Sequence, residues 1–171
     1  ARAEYVRAGR RAAIAANALI FSVVNGVVLK PLPFADPDRL VGVWHVAPGL
    51  GMPGRMNQGP TTYFTYRDNK VFDDIGLWDN VAVTVTGRGE PERVDGLLVT
   101  DGTLPVVGIR PALGRTFTPA DDAPGSAETV MVSHDYWRRV LGGNAAAIGQ
   151  SLVIDGRPRE VIGVLPEGFR F

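Results

Sequence analysis

The sequence predicts an α+β fold: one N-terminal transmembrane-type helix, followed by a mixed α+β domain with β-hairpins. Three observations carry this. Residues 12–29 hold no charged side chain. Beyond them, strand-like and helix-like runs mix without a regular strand–helix–strand beat, which favours α+β over a doubly wound sheet. Asp155-Gly156 stands between two apolar runs, a strong short hairpin signal.

The helix comes first. Residues 12–29 read AAIAANALIFSVVNGVVL, with Arg2, Arg7, Arg10 and Arg11 before them and Lys30-Pro31-Leu32-Pro33 after. At ~1.5 Å of rise per residue the run is roughly 27 Å long, near the ~30 Å apolar core of a bilayer. Helical rotation gathers Leu19, Ile20, Phe21, Val23, Val24, Val27 and Val28 on one broad face. Ala15, Ala18, Ser22, Asn25 and Gly26 collect on the other. Membrane helices meet through such small and weakly polar residues and turn bulky ones to lipid. The residues taken to mark the span are Ile14, Ala18, Phe21, Ser22, Val24, Asn25 and Val28. The arginines before the run place its N-terminus in the cytoplasm. Two readings compete: a cleaved secretory signal, although LKPLPF is not an A-x-A-like cleavage site, and a buried helix of a soluble domain. The expected organisation is a basic cytoplasmic flank over 1–11, a transmembrane helix over 12–30 and one domain over 31–171.

Pro31 and Pro33 break the helix and stiffen its exit. Residues 40–46 read as a strand buried on both faces. Residues 47–60, rich in Gly and Pro, read as a loop. A helix starts at Thr61 or Thr62, either of which can cap it, and ends near Asn69. Residues 72–86 form a strand, clearest over Val81 to Thr86. Gly87 to Pro91 turns the chain, and Glu92 to Thr100 returns as its partner. Asp101 caps a short helical stretch with Leu104, Val106 and Val107, limited by Pro105 and stopped by Gly108. Residues 109–117 form an ordered loop, and 118–128 acidic turns. Residues 129–132 make a short strand. Ser133 caps a helix over 134–141, ended by Gly142-Gly143. Ser151 to Ile154 and Arg159 to Val164 flank the Asp-Gly turn as a hairpin.

Composition narrows the function. Of 171 residues, about 140 follow the apolar run, enough for one compact domain. Lys and Arg number 18, as do Asp and Glu, and no basic stripe with interleaved aromatics appears. A nucleic-acid partner is therefore not expected. With no cysteine there is neither a disulfide scaffold nor a thiolate zinc site. The 21 glycines and 13 prolines are dispersed, which predicts many turns rather than disorder. The last residues, Gly168-Phe169-Arg170-Phe171, follow a strand-like run at once and read as a boundary within a longer protein.

Several motifs resemble catalytic ones in letters only. Gly49-Leu50-Gly51-Met52-Pro53-Gly54 spells G-x-G-x-x-G, but a dinucleotide site needs that motif to open a helix, and Pro53 and Gly59-Pro60 prevent this. No Walker A sequence is present, so the chain is not itself an ATPase. Ser133-His134-Asp135 are adjacent, whereas a triad needs side chains converging from separate segments. His45 and His134 without cysteines make a poor transition-metal set. Asp121, Asp122 and Glu128 lack a calcium-loop spacing. Trp44, Trp78 and Trp137 are expected as core anchors. Arg110, Pro111 and Arg115 form the candidate docking loop, its arginines pinned to carboxylates. Catalytic residues, cofactor sites and metal sites are all expected to be absent, and the chain is read as not an enzyme.

An ordered set of motifs carries a family likeness. It begins with ANALIFSVVNGVVLKPLPF and Asp36-Pro37-Asp38-Arg39-Leu40-Val41, and continues through Phe72-Asp73-Asp74-Ile75 and Gly89 to Val94. It then takes in Gly108 to Phe117, Asn144 to Gly149, Ile154 to Pro158 and Val161 to Phe169. Together these resemble the MacB-like periplasmic core domain of ABC transporter permeases, in the duplicated orphan permease branch, over about residues 14–171. The resemblance implies an FtsX-like permease of the bacterial inner membrane, with residues 31–171 periplasmic. The domain would be non-catalytic and would couple membrane-helix movement, driven by a separate ATPase, to the periplasm. The implied partners are an ABC-type ATPase subunit or domain, the remaining permease helices, the lipid bilayer and periplasmic partner proteins. The alternative is a soluble periplasmic binding or sensor module exported by a cleaved signal. A cytosolic enzyme would require residues 12–29 to be buried in a soluble core.

Overall fold

The computed structural model describes Phe34 and residues 36–171. The chain divides into two units, Ala1–Pro37 and Asp38–Phe171. The first lies almost wholly outside the described residues. So does the expected span over 12–30, with all seven residues assigned to it. Among the described residues no helix is long and apolar enough to cross a membrane.

The second unit is α+β. Its strands are β1 (His45–Ala47), β2 (Met52–Met56), β3 (Trp78–Thr86), β4 (Glu92–Val99), β5 (Leu113–Gly114), β6 (Thr129–Val132), β7 (Ser151–Ile154) and β8 (Arg157–Val164). Its helices are α1 (Pro60–Asp68), the single turn α2 (Thr103–Val106) and α3 (His134–Val140). β1 and β2 form a separate two-stranded hairpin. The other six strands make one sheet, in which β4, β3, β7 and β8 follow one another as neighbours. β8 also pairs with β5 antiparallel and with β6 parallel. It therefore holds three partners, and its residues Val161, Ile162, Gly163 and Val164 are all buried.

The core forms around this strand. Leu152 of β7 and Val161 and Val164 of β8 are the largest fully enclosed side chains. Val85, Val132, Leu141, Ala147 and Ile154 complete the cluster, with Trp137 and Ile148 packed against it. Apolar burial at ~25 cal/mol per Å² is the main stabilising contribution here.

Local signals account for the C-terminal half. Ser133 accepts a hydrogen bond from the Tyr136 amide at 3.1 Å and so caps α3. Gly142 and Gly143, both at positive φ, end it. Asp155 and Gly156 are both left-handed, at φ 50° and 77°, as a tight hairpin turn requires.

The N-terminal half departs from expectation in five places. The strand expected over 40–46 shrinks to His45–Ala47, and Val41, Val43, Trp44 and Val46 are exposed. The apolar run is strand-like, but a strand needs a neighbour, and β2 reaches only His45 to Ala47. The expected loop over 47–60 contains β2 and a 3-10 turn at Pro48–Leu50. Residues 72–77 form turns before β3 begins at Trp78. Trp44 and Trp78 are 45% and 42% exposed rather than core anchors, and of the three tryptophans only Trp137 packs on the core. Helix α1 starts one residue before the expected threonines, with Gly59 as its N-cap and Pro60 in its first turn.

Candidate functional site

The segment after α2 lies along β8. The Ala112 amide donates to the Val164 carbonyl at 2.8 Å, and the Arg115 amide to the Ile162 carbonyl at 2.9 Å. Between them, Gly114 takes φ +76°, and a side chain there would collide with the Ile162 carbonyl oxygen.

Arg115 is fixed at its far end. Its Nη1 donates to Asp121 Oδ2 at 2.7 Å and its Nη2 to Asp121 Oδ1 at 2.8 Å, a bidentate pair. Asp121 also accepts from the Thr118 amide at 2.8 Å and the Thr118 hydroxyl at 2.7 Å. The Asp121 side chain is only 7% exposed, that of Arg115 49%. The Arg115 hydrogen bonds, followed by those from Thr118, hold the Asp121 carboxyl far below the usual carboxylate range. Asp121 in turn raises Arg115. Asp122, which accepts from the Asp101 amide at 2.9 Å, is shifted upward, first by burial. Arg110 is exposed and Pro111 half-buried, and Arg110 makes no ion pair among the described residues.

Glu128, the third acid considered as a ligand, is also held by arginines. Glu128 accepts from Arg157 at 3.0 Å, and Arg159 Nε lies 2.9 Å from its second oxygen, an ion pair without hydrogen-bond alignment. Among the described residues no group of three or more His, Asp or Glu side chains is placed to hold a metal ion. His134 stacks on Trp137, with ring centroids 5.3 Å apart. Ser133 serves as the α3 cap. The G-x-G-x-x-G string occupies the tip of the β1–β2 hairpin, where a strand follows it rather than a helix.

Sequence reasoning missed a groove of about 340 Å³ between the β3–β4 turn and α3. Arg88, Glu90 and Glu92 line one side, and Tyr136, Arg139 and Val140 the other. Arg139 reaches Glu92 at 2.6 and 3.2 Å and lies 5.5 Å from the Tyr136 ring centroid. Arg88 donates to Gln150. Burial first, and Glu92 second, push the Tyr136 hydroxyl above its usual value. No Ser, Cys or His lines the groove; its carboxylates are Glu90 and Glu92, and Glu92 is taken up by Arg139. Its residues come from separate elements, and no local spacing announces it.

Comparison with known proteins shows where such a domain belongs. The sequence pattern of the MacB-like periplasmic core domain matches residues 12–171. The chain belongs to that family. The MacB-like periplasmic core domain is a part of ABC transporter permeases, which implies an inner-membrane protein with a periplasmic segment. Among solved structures, the chain is similar to the extracellular domain of the noncanonic ABC-type transporter YknZ from Gram-positive bacteria. That likeness has 21% identity and a TM-score of 0.56, and covers 66% of this chain and 59% of that one. It is also similar to the periplasmic region of MacB from Actinobacillus actinomycetemcomitans, with 15% identity and a TM-score of 0.53, covering 71% of this chain and 57% of that one. At these identities the two structures show a shared fold alone, and the chain spans under two thirds of either. No curated protein sequence matches it significantly.

Proposed function

We propose that this MacB-like domain is the non-catalytic periplasmic segment of an ABC-type transporter permease. It relays membrane-helix movement, driven by a separate ATPase, to the periplasmic side. In this reading residues 1–11 are a cytoplasmic flank, 12–30 a transmembrane helix and 31–171 the periplasmic domain. The supporting observation is the family match, which begins at residue 12, inside the uncharged run, and continues through residue 171. The run's length and the arginines before it support the orientation.

Within the domain, the stretch from Arg110 to Arg115 is the proposed docking loop. Its backbone is fastened to β8 and its far end to Asp121, while Arg110 points its charge outward from a rigid base. A rigid loop transmits displacement where a soft one absorbs it. The remaining permease helices, the bilayer and a periplasmic protein are the proposed partners.

Fractionation and protease accessibility test this. The full chain, produced in a bacterial host, is expected in the membrane fraction, with its domain degraded when protease is added to spheroplasts. Recovery in the cytosolic fraction without detergent, or a mature protein starting near residue 31, would overturn the membrane reading. Turnover of a small substrate by the purified chain would overturn the non-catalytic one.

A further inference from the structure

β4 ends the six-stranded sheet, and among the described residues no strand pairs its outer edge. Unpaired edges are templates for another strand, and folds usually blunt them with bulges, prolines or like-charged side chains. β4 has no bulge or proline and runs in unbroken register against β3, from Val85 opposite Glu92 to Trp78 opposite Val99, and its exposed charges, Arg93 and Asp95, are of opposite sign.

The direction of its free backbone groups follows from that register. The Thr100 amide donates to the Leu77 carbonyl at 3.0 Å, one step past the last paired residues. Antiparallel ladders alternate, so Leu98, Gly96, Val94 and Glu92 also turn their backbone groups toward β3. Arg93, Asp95 and Leu97 therefore turn theirs outward.

The side chains on the edge are complementary to themselves. Arg93 and Asp95 are two residues apart, share one face and are both exposed. Opposite them on β3 stand Thr84 and Ala82, which carry no charge. Neither makes an ion pair among the described residues.

We propose that β4 pairs with β4 of a second copy of this chain, antiparallel about a twofold axis at Val94. In this register Arg93 of each copy faces Asp95 of the other. These are also the residues whose amides and carbonyls point outward, so the ion pairs and the backbone hydrogen bonds coincide. Centring the axis on Arg93 or Asp95 sets like charges opposite each other, and centring it on Gly96 sets both charges opposite apolar residues. A twofold contact uses the same patch on both partners, which this short sequence satisfies. The dimer does not depend on the transport reading, and a chain found in the cytosol would still show it.

The test is the mass of the full chain in detergent micelles by light scattering, over a range of concentrations. Wild type is expected as a dimer. Arg93→Asp and Asp95→Arg each turn two attractions into two repulsions, and each is expected to raise the dimer dissociation constant about tenfold or more. Arg93→Asp with Asp95→Arg exchanges the charges and is expected to restore it. The chain has no cysteine, so Val94→Cys gives a clean second readout. At the axis the two Cα atoms stand ~4.5 Å apart, within disulfide reach, and oxidation is expected to link the copies. That link should be lost when Arg93→Asp is added. A monomeric wild type, a dimer indifferent to single charge reversal, or a responsive dimer that Val94→Cys fails to link would each overturn the proposal.

Discussion

Gly114 of β5 sits opposite Gly163 of β8, and neither position has room for a side chain. A Cβ on Gly114 would meet the Ile162 carbonyl oxygen, and one on Gly163 the Arg115 carbonyl oxygen. Gly114 is also left-handed, at φ +76°. The two strands approach through this pair, and the proposed docking loop depends on the approach. Gly114→Ala and Gly163→Ala are each expected to destabilise the domain by about 2 kcal/mol or more. Thermal unfolding by circular dichroism measures this, and a change below about 0.5 kcal/mol would contradict the packing described.

Asp121 makes stability depend on pH. Its carboxyl is held below the ordinary ~3.9. A group depressed on folding contributes fully above its unfolded value, and that contribution fades as pH falls toward the folded one. Asp121→Asn should cost about 1–3 kcal/mol at pH 7. The gap to wild type should narrow below about pH 4. Asp122, raised by burial, acts with the opposite sign. Comparing urea unfolding of variant and wild type at each pH removes most of it, since the Asp121 charge is the smallest of the causes of the Asp122 shift. A gap that stays constant from pH 7 to pH 3 would exclude the paired carboxylate as its source.

Two leucines should respond very differently to the same truncation. Leu152 is 1% exposed and Leu50 77%. Leu152→Ala leaves a cavity under the central strand and should cost about 2–5 kcal/mol. Leu50→Ala, at the tip of the β1–β2 hairpin, should change stability by less than about 0.5 kcal/mol. Equal losses in chemical denaturation would mean that the hairpin tip is covered.

Removal of the α3 cap should be felt without disturbing the sheet. Ser133→Ala deprives the Tyr136 amide of its acceptor and is expected to cost about 1 kcal/mol, with Ser133→Asp retaining most of the wild-type stability. Unfolding midpoints of the three proteins in urea would decide it. A Ser133→Ala protein as stable as wild type would show that water replaces the cap.

The parts legible in the sequence were those whose cause is local. Ser133, the Gly142-Gly143 stop and Asp155-Gly156 each impose a backbone conformation on their own neighbourhood, so β6, α3, β7 and most of β8 lie where expected. The stretch from Leu40 to Trp44 misled because its apolar run reports strand propensity alone, and among the described residues no strand pairs with it. Trp78 misled similarly: it meets Phe171 edge to face, centroids 5.0 Å apart, instead of entering the core. The parallel pairing of β6 with β8 joins residues some thirty positions apart, which no window of sequence displays. Around Arg115 the residue types indicated a guanidinium–carboxylate clasp, but the choice of Asp121 over Asp122 is made by the turn at Thr118. The groove at Glu92 and Arg139 unites positions 47 apart and left no trace in the order of residues.

The strand with most partners is also the last of the described strands to be synthesised. Until Arg157–Val164 has left the ribosome, β5 and β6 lack the neighbour that joins them, and the rungs of the large sheet that can form among the described strands are those of β3 with β4 and with β7. Among the strands of the large sheet described, vectorial synthesis thus delivers the β3–β4 ribbon first and the hub after the others, and the growing chain must keep its apolar strands from straying in the meantime.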